Sequence, residues 1–465
     1  MASTGTGADG GVASTTPAGG ETAAAAPREV EYVLAEGEEL RVDVDGSAEA
    51  IVELVAGTAE IFGAELPAHR RYAFGGGTRL AVYTWHGATV LLVGVTESSA
   101  YIAKRTPMVI YANTHAALEE LRKQVQSELM DERKRDSTRG PTLMIAGPTD
   151  VGKSTYCKIL LNYAVRLGRR PTFVDLDVGQ GAISVPGTLC ALEVTRPSEP
   201  VEGFDKTCPL VHHFGHLSPG ENVTLFNAKV AQLAAAVASR CQASTEANVG
   251  GVIINTCGWV RGAGYQCLVS AAEAFEVDVV VVLDHERLYN DLQRDLPNFV
   301  KIVHQPKSGG VEERSRQNRI EARQERIRQY FYGIKKQFSP HLLEGVRFDE
   351  IKLYRVGTAA TPDALLPAGM GASDDHHTTV VPMWASLKLK HRLLGVSSAG
   401  LPRAEGAEES SASTDASASA LSASICGFVA VTDVDEEAAT LTLLSPQLQL
   451  PSKVFLYSDV TYMDT

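Results

Sequence analysis

One stretch limits the fold more than any other: TLMIAGPTDVGKST, residues 142–155. Apolar residues run into Gly147, and Gly152-Lys153-Ser154 follow after a gap of four, the spacing of a phosphate-binding loop between a buried strand and a helix. Gly147 and Gly152 let consecutive N–H groups turn toward one anion, at a helix start whose peptide dipoles already favour negative charge. Gly147, Asp150, Val151, Gly152, Lys153, Ser154 and Thr155 are therefore read as nucleotide-binding, with Lys153 on the β/γ-phosphates and Ser154 offering its hydroxyl to Mg²⁺. The loop alone does not say where the phosphate goes. An ATPase, a GTP switch, a small-molecule kinase and a kinase acting on something larger all remain.

The surrounding pattern fixes the architecture. After the loop, a helix over 153–167 closed by Gly168, the strand PTFVDLD, an Ala-rich helix over 224–240, GGVIINT, a helix near 264–275 and VDVVVVLD alternate along the chain. Near-continuous apolar strands separated by helices predict a parallel sheet covered on both faces. Residues 29–110 instead alternate apolar and polar positions, with turn residues every 8–12 positions, as in a β-sandwich or barrel. From Asn113 to Arg135 the period becomes helical, with Leu118, Leu121, Val125 and Leu129 on one face. After 339 the chain reads as β again, interrupted by the Ser/Ala/acid-rich AEGAEESSASTDASASALSAS, which has no means of forming a core. The expected organisation is a disordered tail over 1–28, a β-rich section over 29–110, an α/β P-loop section over 111–338, and a C-terminal section over 339–465 with a disordered insertion at about 400–424.

The strand PTFVDLD ends on two acids. Asp175 and Asp177 lie on the same side of an extended chain. One carboxylate can hold a hydrated metal and the other can accept the proton of an attacking hydroxyl, as alcohol kinases require. Gln180, in the VGQG that follows, reads as a hydrogen-bonding neighbour. NTCGWVRGAG (255–264) leaves a buried strand on the edge where open α/β sheets bind ligands, and Trp259 there is either a base-stacking residue or a packing one. In EERSRQNRIEARQERIR (312–328), Arg314 and Arg319 follow the glycines of KSGGV and suit a mobile flap that neutralises phosphoryl charge. Arg323, Arg326 and Arg328 read as a solvated helix face with Glu/Arg pairs.

Other classes drop out. VVVVLD ends on Asp284 without the lysine of an N-K-x-D motif, against a GTP switch. His212, His213 and His216 lack a carboxylate or thiolate at ligand spacing and read as packing residues. Seven cysteines occur singly, without C-x-x-C spacing, and Cys157, Cys241 and Cys267 are expected in the core of a reduced protein. No run approaches the ~18–20 apolar residues of a membrane span, so no membrane partner is expected. A net charge of −13 opposes non-specific coating of nucleic acid. Yet between Lys301 and Lys336 ten Lys/Arg face four Asp/Glu, a local basic segment suited to phosphate.

GPTDVGKST, GRRPTFVDLDVGQG, VIINTCGWVRGAGYQ, FEVDVVVVLDHERLYNDLQRDLP and PKSGGVEERS…ERIRQYFYG, in this order and spacing, resemble the Clp polynucleotide 5′-hydroxyl kinase family. That family includes the ATP-binding Clp subunit of the pre-mRNA 3′-end cleavage machinery. The resemblance runs from about residue 29 to the C-terminus and excludes the first 28 residues and the Ser/Ala-rich insertion. It implies an N-terminal β-sandwich-like domain, a P-loop kinase domain and a C-terminal α+β domain, with ATP and Mg²⁺ as cofactors. It further implies an RNA 5′-hydroxyl end as acceptor, subunits of the mRNA cleavage and polyadenylation complex or the tRNA-splicing endonuclease as partners, and a nuclear location. By position, Lys153 and Ser154 serve the phosphates and metal and Asp177 activates the 5′-hydroxyl; Asp175 is read from the strand end alone as the carboxylate beside the metal. Thr256 and Trp259 form a clasp, Arg314 and Arg319 a lid, and Glu39 and Arg79 contact adenine. The competing reading within the family is a scaffold subunit whose bound ATP is structural.

Overall fold

Period-two burial builds the N-terminal section. Along Glu49–Gly57, Ala50, Val52 and Leu54 are buried while their neighbours are not, so one face of the strand joins a core. The computed structural model describes residues 29–464 apart from 47, 95–98, 132, 134–137, 358–376 and 401–422. The tail over 1–28 and nearly all of the Ser/Ala-rich insertion lie outside the described residues. Strands Glu29–Leu34, Ala88–Val93, Glu49–Gly57 and Arg71–Gly75 pair in that order. A second sheet runs Ala64–Glu65, Glu60–Ile61, Arg79–Tyr83, Glu39–Asp43, Ala100–Ala103. Leu40, Val42, Leu80 and Val82 of the second sheet share a core with Val52, Leu54, Val90 and Leu92 of the first. This is the expected β-sandwich. The same alternation turns Glu39, Arg41 and Asp43 onto the outer face of the second sheet, the face toward the phosphate loop.

The central sheet has seven strands in the order Leu210–His213, Thr188–Glu193, Thr172–Asp175, Val252–Asn255, Thr142–Ala146, Val279–Leu283, Lys301–Gln305. The last five are mutually parallel. The sheet is nevertheless mixed rather than wholly parallel, because Thr188–Glu193 and Leu210–His213 extend it antiparallel. Residues 176–187 form no crossover helix, and a chain that reverses without one can only pair antiparallel. Leu143, Met144, Ile145 and Ala146 are fully buried; each of the larger three is worth roughly 1.5–3 kcal/mol of transfer free energy. Helices Met108–Glu128, Lys153–Arg166, Val223–Ala243, Ala263–Ala274, Glu286–Asp295 and Arg316–Tyr332 accompany the sheet. Cys157 and Cys267 are buried, Cys241 is half-buried, and all three are free thiols.

The C-terminal section departs from the α+β form implied by the resemblance. Among the described residues it is a seven-stranded sheet, ordered His341–Arg347, Thr440–Ser445, Ile425–Asp435, Leu393–Ser397, Val454–Leu456, Lys352–Val356, Val380–Met383. Its helical content there is three short 3₁₀ turns. A small apolar core of its own, including Leu353, Leu394, Val431, Leu443 and Phe455, holds it together.

The N-terminal section is fastened to the helix that follows the phosphate loop. Glu60, buried in the second sheet, accepts from the Tyr163 hydroxyl and, at 2.7 Å, from Arg166 Nη1. Asn162 Nδ2 donates to the Phe62 carbonyl at 2.8 Å. Replacing Glu60 by Ala strands the Tyr163 hydroxyl in a buried place. We expect Glu60→Ala to lower the free energy of unfolding by about 1–3 kcal/mol, measured by chemical denaturation; an unchanged midpoint contradicts the assigned role.

Candidate functional site

Register places three strand ends side by side. Asn255 is level with Ile145 on one side and Asp175 on the other, so the segments that follow all three emerge at one edge of the sheet. At that edge, between the central sheet, the outer face of the N-terminal sandwich and the helix Arg316–Tyr332, lies a cavity of about 850 Å³. Asp150, Val151, Gly152, Lys153, Ser154 and Thr155 line it; Gly147 stands behind them.

The loop is built on backbone that only certain residues tolerate. Gly147 has φ +152°, and a Cβ there would come within 2.8 Å of the Leu283 carbonyl oxygen. Gly152, at φ +87°, precedes the helix Lys153–Arg166, which begins without a side-chain cap. Its first N–H groups are thus left to a ligand rather than to a Ser or Asp. Lys153 is buried, and its ammonium donates to the carbonyls of Gly147 and Pro148 at 2.9 and 2.6 Å. Burial depresses its pKa, against the opposing pull of Asp177. The arrangement holds a cation at the mouth of a nest of amides, which suits a polyphosphate.

The two aspartates are not equivalent. Asp175 is fully buried and does not line the cavity. Its Oδ1 accepts from Asn255 Nδ2 at 2.9 Å and from the Asp177 N–H at 3.2 Å, and its Oδ2 accepts from the Ala182 N–H at 2.7 Å. Both oxygens accept hydrogen bonds there and brace 175–182, so the side chain expected beside the metal is turned into the protein and not into the cavity. Asp177 is half-buried and faces the cavity. Desolvation, followed by the neighbouring Asp175, raises its pKa to about 6. Ser154 Oγ lies 3.4 Å from Asn255 Oδ1, close to the same strand end. Among the described residues no group of three His, Cys, Asp or Glu side chains could hold a metal ion. The Ser154 hydroxyl, in the first turn of the helix after Gly152, is a donor that fits a metal ion shared with phosphates. His212 and His213 are buried, with His213 Nε2 2.8 Å from the Tyr457 carbonyl, and His216 pairs with Asp459.

The segment 256–259 folds over the loop. A Cβ on Gly258 would stand 2.4 Å from Thr149 Cγ2 and 2.6 Å from its backbone nitrogen, so only glycine lets the two loops touch. Trp259 lines the cavity, half-buried, with its indole held between Gly264 and Gly220. A Cβ on Gly264 would lie 2.5 Å from the indole, which explains the small residue there. Thr256 does not line the cavity. Its buried hydroxyl donates to the Ile145 carbonyl at 2.8 Å and pins the segment to the strand before the phosphate loop.

The flap closes the opposite side. Asp150 Oδ2 accepts from the Arg314 N–H at 3.0 Å and from Arg319 Nη2 at 2.5 Å, tying the flap to the phosphate loop. Val311 rests over Gly152. Arg314 and Arg319 both line the cavity, and so do Arg323 and Arg326, contrary to the solvated face expected for those two. Arg326 makes one weak hydrogen bond, 3.4 Å to Gln329, and burial lowers its pKa. Arg328 keeps to expectation, paired with Glu325 at 2.6 Å. The helix has cationic residues on two faces, and spacing alone could not say that one face turns inward.

The N-terminal sheet supplies the remaining wall. Glu39 is buried and accepts from Arg41 Nε at 2.8 Å. Arg79 bridges Asp43 and the flap residue Glu312, both at 3.1 Å. Arg41 carries no mark in the sequence, yet it is the bracket between sandwich and flap. It donates to Ser308 Oγ at 3.4 Å, and Gly310 lies so close that a Cβ would meet its Nε at 2.7 Å. The signal for Arg41 is the glycine pair at 309–310, legible only once its opposite surface is known.

Three family models match: the N-terminal beta-sandwich domain of polyadenylation factor over residues 33–125, the mRNA cleavage and polyadenylation factor CLP1 P-loop over 147–333, and the pre-mRNA cleavage complex II protein Clp1 over 338–464. The chain is 53% identical over 436 residues to the Protein CLP1 homolog of Brugia malayi, covering 93% of this chain and 96% of that one. It is 50% identical over 427 residues to the polyribonucleotide 5′-hydroxyl-kinase Clp1 of Homo sapiens, covering 92% and 95%. Among solved structures, Clp1p in complex with Pcf11p shares the fold at a TM-score of 0.76 and 21% identity, covering 94% of this chain and 99% of that one.

The contact of Gly258 with Thr149 yields a prediction. Forcing a methyl into it costs about 1–3 kcal/mol of displaced backbone, and we expect Gly258→Ala to weaken nucleoside triphosphate binding about tenfold or more. Titration calorimetry checks this; an unchanged Kd contradicts it.

Proposed function

The chain belongs to the Clp1 family, and from that premise we propose that it is an ATP-dependent polyribonucleotide 5′-hydroxyl kinase of mRNA 3′-end formation. One observation carries the reading: Asp177, at the end of the strand beside the phosphate loop, faces the same cavity as Lys153 and the flap arginines Arg314, Arg319, Arg323 and Arg326. Trp259 and the cationic flap make room and charge for an acceptor beside that acid. An alcohol kinase needs such an acid.

In this reading the phosphates lie on the amides of 149–155 with Lys153 beside them, and the nucleoside lies against Glu39, Arg41 and Arg79. Ser154 and the phosphates would hold a Mg²⁺ ion, which would supply positive charge to the phosphates. Trp259 stacks the terminal base of the acceptor. Thr256 acts on that base only through the position it gives Trp259. The 5′-hydroxyl oxygen bonds to the γ-phosphorus as its proton passes to Asp177. The bond from phosphorus to the β–γ bridging oxygen breaks, and ADP leaves with that electron pair. Arg314, Arg319 and Arg323 offset the charge of the transferring group. Arg319 is drawn from Asp150 to the γ-phosphate when nucleotide binds. Association with a Pcf11-type subunit and a nuclear site of action belong to the same proposal, supported by the solved Clp1p–Pcf11p fold relative and the matched pre-mRNA cleavage family.

Asp177 sets the pH dependence. With its pKa raised to about 6, it is ionised and basic at neutral pH and protonated, hence unable to take the proton, below 6. We expect kcat/KM for end-labelling a 5′-hydroxyl oligoribonucleotide with γ-labelled ATP to fall about tenfold per pH unit below an inflection near 6. Asp177→Asn is expected to lose about 10²–10⁴ in rate, with ATP affinity retained and the acid limb gone. Full activity in Asp177→Asn sinks the assignment.

A further inference from the structure

A second cavity, of about 340 Å³, adjoins the first and shares Phe62, Ser154, Thr155, Ala182 and Arg326 with it. It is walled by three cations: Lys158, one turn along the helix from Ser154; Lys206, from the loop before strand Leu210–His213; and Arg326 of the flap helix. Among the described residues none of the three has a carboxylate partner. Lys158 has an aromatic contact only, its ammonium 5.5 Å from the centre of the Phe62 ring. Arg326 hydrogen-bonds only Gln329. Glu202, the one carboxylate in the wall, is taken by Lys335 at 2.7 Å.

Three unpaired like charges around one cavity are unfavourable for the empty protein. Burial, and after it the repulsion of Arg326, depresses the Lys206 ammonium to about 8; burial depresses Lys158 to about 8 as well. The remaining wall, with Phe173, Ile183, Leu192 and Phe204, is apolar, and the carboxylates that act on the cations, Glu199 on Lys158 and Asp175 and Glu325 on Arg326, do so from beyond ion-pairing distance. An anion that enters and leaves is the chemistry this arrangement suits. Its position narrows the anion further. Asp177 and Gln180 line the first cavity, and Ala182, whose N–H is fixed by Asp175, lines both. A strand whose 5′-oxygen sits at Asp177 carries its first internucleotide phosphate one nucleoside further on.

We propose that this second cavity is an acceptor-strand subsite in which Lys158, Lys206 and Arg326 hold the first internucleotide phosphate of the RNA. The subsite rests on the kinase reading of Asp177. It accounts for selection of a polynucleotide over a free nucleoside, because a nucleoside has no phosphate to place there. Lys158 and Lys206 are specificity residues and do not touch the reacting atoms.

The test is fluorescence anisotropy with the full chain, a non-hydrolysable ATP analogue and a 3′-labelled 5′-hydroxyl oligoribonucleotide. For K158Q/K206Q we expect oligonucleotide affinity to fall tenfold or more, and the slope of log K against log salt to shrink by about 0.7 for each phosphate no longer neutralised. ATP-analogue affinity stays as in the wild type, and Tm without ligand rises because two unpaired like charges facing one cavity are gone, the opposite of what a merely structural role gives. K158R/K206R keeps the affinity. Unchanged oligonucleotide affinity in K158Q/K206Q overturns the proposal, and so does a wild type that binds no oligonucleotide. Loss of pyrophosphate binding with oligonucleotide binding intact also overturns it, by making the cavity a site for free phosphate. Failure of the kinase reading looks different: the wild type binds the oligonucleotide and labels none of it.

Discussion

The level at which three parallel strands end governs everything else in the molecule. Because Ile145, Asn255 and Asp175 share one register line, the phosphate loop, the Trp259 segment and the Asp175–Asp177 turn are forced into contact. Asn255 is the joint between them. It donates to Asp175, and its oxygen lies near the Ser154 hydroxyl. Asp175 in turn fixes the N–H groups of Asp177 and Ala182. A buried polar network of this kind is costly if half satisfied and rigid when complete. Here it spends two carboxylate oxygens inside the protein, while the next acid along, Asp177, accepts only from the Gly179 N–H at 3.1 Å and faces the cavity.

The flanking β sections give that edge its walls. Alternation along Glu39–Asp43 puts leucine and valine into the sandwich core and Glu39, Arg41 and Asp43 toward the nucleotide cavity. Glu60 fastens the same sheet to the helix that carries Lys153, so this wall of the cavity and the phosphate loop are joined directly. The flap is tied more lightly, through Asp150 to Arg314 and Arg319 and through Arg41 to Ser308. The partners on the phosphate loop are ones a nucleotide can replace, which suits an element that must open for substrate and close for transfer.

Much of this was legible in the chain, for a physical reason. Strand, loop and helix around Gly147–Thr155 follow from local chemistry, and so do the helices after the strands at 252–255 and 142–146. What sequence missed depended on long-range packing. Thr188–Glu193 and Leu210–His213 are short, carry polar residues into the sheet interior, and lack the helical crossover that would have announced them. Arg323 and Arg326 sit on a helix with charges on more than one face, and only the packing of that helix decides which face turns inward. Arg41 has no local signal at all. Asp175 looked equivalent to Asp177 because two residues of one strand share a side. The turn after Asp175 separates them, burying the first and exposing the second.

The central claim is that this edge transfers the γ-phosphate of ATP to an RNA 5′-hydroxyl and does not merely store the nucleotide. Single-turnover rapid quench of the purified chain, with ATP and a 5′-hydroxyl oligoribonucleotide, measures ADP and 5′-phosphorylated RNA in the same sample. The two products are expected to form together, in equal amounts and at one rate. ATP that stays intact on the protein while the RNA keeps its 5′-hydroxyl contradicts it and makes the bound nucleotide structural.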